Sequence, residues 1–425
     1  MKEAFLHYIW QYKLFSTTTI KTIDNREIRV LNAGSYNRNS GPDFLNAKLK
    51  IEEQIWCGNI EIHVNTSDWY LHQHEKDVNY DAVILHVVWQ HDAVVFMKNN
   101  KPLPTLVLKD WVDKNILKNY KKLFSKQQQQ WISCEHQIKT IDSFLIENWL
   151  ERLFFERLQN KATVIEELLI KSKGNYEAVL FKLLAKNFGL KVNAEAFLAM
   201  AESFDFSVLQ KIQYNKQYIS ALLFGQAGFL EKDNEEDYYR TLKELYAFLK
   251  HKYQLKPIKN QLFQFFRMRP ANFPTIRIAQ LAALYSQHKS LFSMLLACNT
   301  INDFYAIFSV EVDFFWKTHY TFETVSKKYQ KRITKLFVDL LLINTILPLK
   351  FQYLKERGAL QEEVFLSLIK QITAEKNSII SRFSALNITA NNALESQALL
   401  ELKNKYCKPK RCLECAVGVA LLKNN

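Results

Sequence analysis

The sequence predicts an α+β protein, with a mixed sheet and flanking helices over residues 1–110 and a large all-α region after it. Three observations carry that expectation. Strand-like runs, either alternating with period 2 or continuously rich in Val and Ile, crowd into the first 110 residues. Beyond Lys109 apolar residues recur at helical spacing instead. Gly (9) and Pro (8) are too scarce in 425 residues for a turn-rich all-β fold.

Taken in order, residues 3–15 place Phe5, Ile9, Trp10, Tyr12 and Leu14 as an amphipathic helix would. Strands are expected at Glu27–Ala33, Phe44–Glu52 and Trp56–Asn65, and Asn46–Ile51 alternates in the manner of a half-buried strand. Ser67-Asp68 supplies a turn or cap before a short helix within Trp69–Tyr80. Ala82–Trp89 is a continuous apolar run, which fits a central strand buried on both faces. Val94–Met97 and Leu103–Leu108 read as edge strands around a turn at Asn99-Asn100.

Helical periodicity then marks Phe144–Leu158, Tyr176–Phe188, Tyr238–Lys252, Arg277–Ser286 and Lys335–Leu347. The polar run Lys126–Gln130 suits a linker over 111–140, which leaves 141–425 as a helical domain carrying a cysteine cluster near its end. No repeat of 30–45 residues is evident.

At 48% hydrophobic and 24% charged, the chain is globular in composition, not disordered. Its formal charge of +14 is uneven: residues 1–110 hold 12 Lys/Arg against 13 Asp/Glu, and the remainder holds 45 against 30. A basic remainder beside a near-neutral first part is compatible with nucleic acid as a partner, and equally with a solvated lysine-rich surface. Met1-Lys2-Glu3-Ala4-Phe5 lacks a signal-peptide profile. The apolar stretch Leu336–Leu349 is interrupted by Asp339, Asn344 and Pro348, so no membrane span is expected. Six cysteines without a secretory signal point to a reducing, cytoplasmic setting. Oligomeric state leaves no mark in the sequence.

Chemistry is suggested by Gly41-Pro42-Asp43-Phe44 followed by Gly58-Asn59-Ile60-Glu61-Ile62-His63. A hard divalent ion that activates water beside a phosphodiester needs carboxylates a few ångströms apart. Asp43 and Glu61 on neighbouring strands can supply them to Mg²⁺ or Mn²⁺, with His63 on the Glu61 face as a further ligand or base. Glu3 and His7, one helical turn apart, can join the same pocket. Five of the ten histidines fall between residues 63 and 91. His86 interrupts an apolar strand and is the leading candidate among them for a transition-metal ligand, whereas His72 and His74 are expected on an exposed turn.

Near the end, Cys407, Cys412 and Cys415 form C-x₄-C-x₂-C, and Cys134 is the best fourth donor for zinc or an iron–sulfur cluster. Arg267, Arg269 and Arg277 flank a Pro-containing loop and can hold phosphates through their guanidinium forks, or pair internally. Leu223–Phe229 lacks the Gly-Lys-Ser/Thr of a nucleotide loop.

These motifs, together with Asp68-Trp69, Tyr80-Asp81, Leu85-His86-Val87, Phe224–Gly228 and Arg269–Pro274, make the chain resemble an uncharacterised bacterial family, domain of unknown function 2851. That resemblance implies no activity. Residues 1–110 also resemble PD-(D/E)XK nucleases, with Asp43 and Glu61 matching the two acids and His63 standing where the motif has lysine. The resemblance implies metal-dependent cleavage of DNA or RNA. The alternatives are a non-catalytic binding module on the same fold, or a His-rich metalloenzyme.

Overall fold

The computed structural model describes residues 1–16, 20–37, 39–124 and 130–423. It divides into two compact units, Met1–Trp149 with Lys403–Asn425, and Leu150–Leu402. The division departs from the boundaries expected from sequence. The first unit runs well past residue 110 and takes in the cysteine-bearing end of the chain. Much of the expected linker is ordered, since Lys114–Phe124 is helical; residues 126–129 of the polar run lie outside the described residues. Periodicity reports local structure, and it cannot say which distant element packs where.

The first unit opens with α1 (Glu3–Gln11), which buries Phe5, Leu6, Tyr8, Ile9 and Trp10. The Trp10 indole N–H donates to Ala33 O at 3.0 Å. Helix α1 stops earlier than the periodicity suggests, because Lys13 takes a left-handed φ of 49°.

Among the described residues seven strands form one mixed sheet: β1 (Ile20–Lys21), β2 (Glu27–Asn32), β3 (Ser35–Tyr36), β4 (Phe44–Ile51), β5 (Gln54–Asn65), β6 (Val83–Gln90) and β7 (Thr105–Val107). The order is β1-β2-β4-β5-β6-β7, with β3 also on β4. Pairing is antiparallel from β1 to β5 and parallel from β5 through β6 to β7.

The β5–β6 crossover is tighter than a regular helix: α2 (Asp68–Leu71) and two 3₁₀ turns, His74–Lys76 and Val78–Tyr80. Val83–Val88 are buried throughout, as a strand with parallel partners on both sides requires. Gly58 lets β5 approach β6, since a Cβ there would meet Ala82 O and Ile84 Cγ2 at 2.5 Å. The expected strand at Val94–Met97 is replaced by a lone bridge between Phe96 and Pro102, because proline has no N–H to extend a ladder.

The second unit contains helices at Tyr176–Phe188, Asp237–Tyr253 and Pro274–Gln287, close to the expected bounds. Lys335–Leu341 passes through a π-helical turn, Leu342–Ile346, into Leu347–Glu356. Pro348 lies just past the π turn inside this continuous helix, and the nearby Ile343 and Asn344 carbonyls accept from Lys161 Nζ at 3.2 and 3.5 Å. Together Lys335–Glu356 are long and apolar enough to cross a membrane by length and composition, yet 72% of the apolar window is buried within the protein, as in a core helix.

Candidate metal centre

The loop before β4 delivers Asp43. Asn37 fastens that loop, its backbone N–H donating to Asp43 O at 2.7 Å and its side-chain amide to Pro42 O at 3.0 Å. Across β4 and β5 the two acids then latch together. Asp43 N–H donates to Glu61 Oε2 at 3.2 Å, and Ile62 N–H donates to Asp43 Oδ2 at 3.0 Å. Their side-by-side placement is what the strand order leads one to expect.

Glu61 and His63 share one face of β5. His63 lies beneath that face at 1% exposure, not at a rim. Its Nδ1 is 2.9 Å from His86 Nε2, and its Nε2 is 3.1 Å from His72 Nδ1 and 3.3 Å from Glu61 Oε1. His74 Nε2 reaches the same Glu61 oxygen at 3.3 Å without hydrogen-bond alignment, and this buried nitrogen has no other partner. The His74 ring stacks on Tyr80, with centroids 3.7 Å apart, and meets Trp69 edge-on. On the other side of Asp43, His7 Nε2 stands 3.3 Å from Oδ2.

Among the described residues, two trios have ligand atoms all within 4.8 Å of one another: His63, His72 and His74, and Glu3, His7 and Asp43. Glu61 borders the first and Asp43 belongs to the second, so the acid latch joins them. Imidazole nitrogens mixed with carboxylate oxygens suit zinc or manganese better than magnesium, which prefers an all-oxygen shell.

Electrostatics set the charge state of the chain without a cation. Burial, with Asp43 adjacent, holds the Glu61 carboxyl well above the ordinary range, so the proton stays on. Burial also pushes His63 down to about 3, with His74, His72 and His7 adding to the effect, and drives His86 well below its usual value. Both rings are therefore neutral, and His63 cannot supply the positive charge of a lysine. His7 differs: burial opposes its charge, but the adjacent Asp43 carboxylate outweighs burial, with Glu3 adding to it, and raises it. Burial raises Glu3 as well.

His86 stands behind His63 and outside both trios, which corrects its expected place as a ligand. A His63 Nδ1–H donated to His86 Nε2 would turn the His63 Nε2 lone pair toward Glu61, His72 and His74. His72 and His74 contribute more than their turn suggested. His72 is exposed, as expected, yet its nitrogen faces inward onto His63. The signal available in sequence was the histidine density between 63 and 91. A cleft of about 240 Å³ opens beside His74, lined by Trp69, Tyr80, Phe96, Met97 and Lys98 among others.

Arg277 faces the interior of the second unit, which corrects its expected role at phosphates. It is 7% exposed, its Nη1 and Nη2 donate to Gln280 Oε1 at 2.8 Å and Asn272 Oδ1 at 2.7 Å, and its guanidinium lies 3.6 Å from the Phe337 ring centre. Burial lowers it to about 10. Arg267 and Arg269 are exposed. Cys134, Cys407, Cys412 and Cys415 line one small cavity in the first unit. Cys57 on β5 is exposed, and Cys298 is buried in the second unit.

Searches of curated proteins and of solved structures returned no match. A family model described as a protein of unknown function (DUF2851) matches residues 3–378. The matched span includes every residue of both metal-ligand trios and ends before Cys407, so the clustered cysteines near the end are not part of it. With the match covering most of the sequence, the chain belongs to the DUF2851 family.

Proposed function

We propose that the first unit is a metal-dependent phosphodiesterase acting on nucleic acid, with zinc or manganese held by His63, His72, His74 and Glu61. The observation that carries this is the approach of two imidazole nitrogens, from His63 and His74, to one Glu61 oxygen at 3.3 Å, next to the Asp43 latch. Buried imidazoles around a protonated acid, one nitrogen lacking a hydrogen bond, are an arrangement that a cation would satisfy. The helix, antiparallel strands and crossover to a parallel strand, with one acid just before β4 and the other on β5, also support likeness to PD-(D/E)XK nucleases. The histidines move the expected cofactor from Mg²⁺ toward a softer ion.

A bound cation of this class supplies an activated water and a charge for the phosphoryl oxygens. The chain does the rest. The latch fixes Glu61 and Asp43 in register, and His86 orients His63. His7, whose hold on a proton is strengthened beside Asp43, stands in the electrostatic place of the missing lysine. The cleft beside His74 offers Tyr80 and Trp69 as aromatic surfaces for a base.

The test is chelation followed by titration with Mn²⁺, Zn²⁺ or Mg²⁺, reading cleavage of labelled single- and double-stranded DNA and RNA. Metal-dependent cleavage, strongest with Mn²⁺ or Zn²⁺ and lost in Glu61→Gln and His74→Ala, is the expected outcome. Equal cleavage by wild type and both variants would refute it, as would failure to bind any of the three ions. Metal-independent retention of nucleic acid without cleavage would favour the binding-module reading.

A further inference from the structure

The four cysteines come from segments some 270 positions apart in sequence, and the first unit brings them together. Cys134 lies in a turn whose carbonyl accepts from Gln137 N–H and Ile138 N–H at 2.9 and 2.8 Å. Cys407 closes a π-helical turn, Leu402–Cys407, and Cys412 opens a 3₁₀ turn, Cys412–Glu414. Cys415 immediately precedes the helix Ala416–Lys423. Direct contacts hold these pieces in place. Lys403 Nζ donates to Trp131 O at 2.6 Å, and Asn119 Nδ2 to Leu422 O at 3.4 Å. Gly418 packs on the Cys412 carbonyl so closely that a Cβ would lie 2.1 Å from its oxygen.

All four cysteines line one cavity of about 20 Å³, shared with Leu123, Ser133, Tyr406 and Gly418. Tetrahedral thiolates at about 2.3 Å from a zinc ion stand about 3.8 Å apart and leave no such space. The trios with ligand atoms within 4.8 Å are the two described above, and no three of these cysteine sulfurs form another among the described residues. Cysteines around a shared cavity, with no three of their sulfurs drawn together onto a point, match a group with several metal atoms. Cationic side chains surround them: Lys403 acts on Cys407, and Lys410 and Lys2 on Cys412. An anionic centre would be balanced there.

We propose that Cys134, Cys407, Cys412 and Cys415 bind an iron–sulfur cluster that fastens the cysteine-bearing end of the chain to the turn at Cys134. In its absence burial keeps the thiols protonated, with Cys407 pushed up to about 12. Cluster binding displaces the four thiol protons, since a coordinating thiol is deprotonated. This site is independent of the histidine centre, and either can fail without the other.

The experiment uses the full chain, purified anaerobically and, in parallel, reconstituted with ferrous iron and sulfide under reducing conditions. Iron and acid-labile sulfide in equal amounts, with broad absorbance in the blue, are expected. Both should be lost in Cys407→Ser and kept in Cys57→Ser and Cys298→Ser. If Cys407→Ser does not fold, the iron and sulfide content of the wild type decides by itself. Stoichiometric zinc without iron would overturn the proposal, as would neither metal after reconstitution.

Discussion

Glu61→Gln separates the electrostatics of the centre from its chemistry. In the chelated wild type the folded chain keeps a proton on Glu61 that the unfolded chain releases above a pH of about 4.3. A group raised on folding gives stability that is complete below the unfolded pKa and is lost as pH climbs through the folded one. Each pH unit in that window removes about 1.4 kcal/mol. Between pH 5.5 and 7.5 this sums to about 2.7 kcal/mol, or about 5–10 °C in Tm for a unit of this size. The Glu61 side chain is only 6% exposed, so solvent screening takes little from that figure.

Glutamine keeps the shape and cannot ionise. Glu3 and His7 are also raised, chiefly by burial and by Asp43 respectively, so their slopes largely cancel in the comparison. Urea unfolding followed by tryptophan fluorescence suits the measurement, because seven of the eight tryptophans lie in residues 1–149. The variant's stability should fall less steeply with pH, by up to about 1.4 kcal/mol per unit. Saturating Zn²⁺ or Mn²⁺ should then stabilise the wild type far more than the variant. Parallel lines for the two chelated proteins would refute the claim that Glu61 is protonated in the fold.

Three further outcomes follow from other residues. Burial lowers Lys161 to about 7 although its Nζ donates to Asn344 Oδ1 at 2.8 Å. The folded chain therefore binds fewer protons than the unfolded one above pH 7, and stability should rise toward pH 10 by up to about 1.4 kcal/mol per unit; far-ultraviolet circular dichroism of Lys161→Met should show that rise lost. Gly58→Ala should cost about 1–3 kcal/mol in chemical denaturation, since its Cβ would meet Ala82 O and the Ile84 side chain at 2.5 Å; a neutral result would refute the close β5–β6 approach. Arg277→Met should lower stability and leave any nucleic-acid affinity intact, whereas removing Arg267 and Arg269 together should reduce the salt slope of binding by about 1–2 if they reach phosphates; a slope change with Arg277→Met would contradict its inward placement.

The sequence by itself determined the division into a strand-rich first part and a helical remainder, because periodicity of 2 or 3.6 is written in adjacent residues. It also offered Asp43 and Glu61 as a pair, since one stands just before a strand and the other on the next strand along, a short connection away. Only the tertiary structure decided the rest. His63 became buried and neutral because β6 places His86 behind it and the crossover turn lays His72 and His74 over it. Arg277 turned inward because a buried helix left it Gln280 and Asn272 as partners. The C-x₄-C-x₂-C spacing marked three cysteines as a set, yet their meeting with Cys134 depended on packing across some 270 positions, and local propensity carries no information over that range.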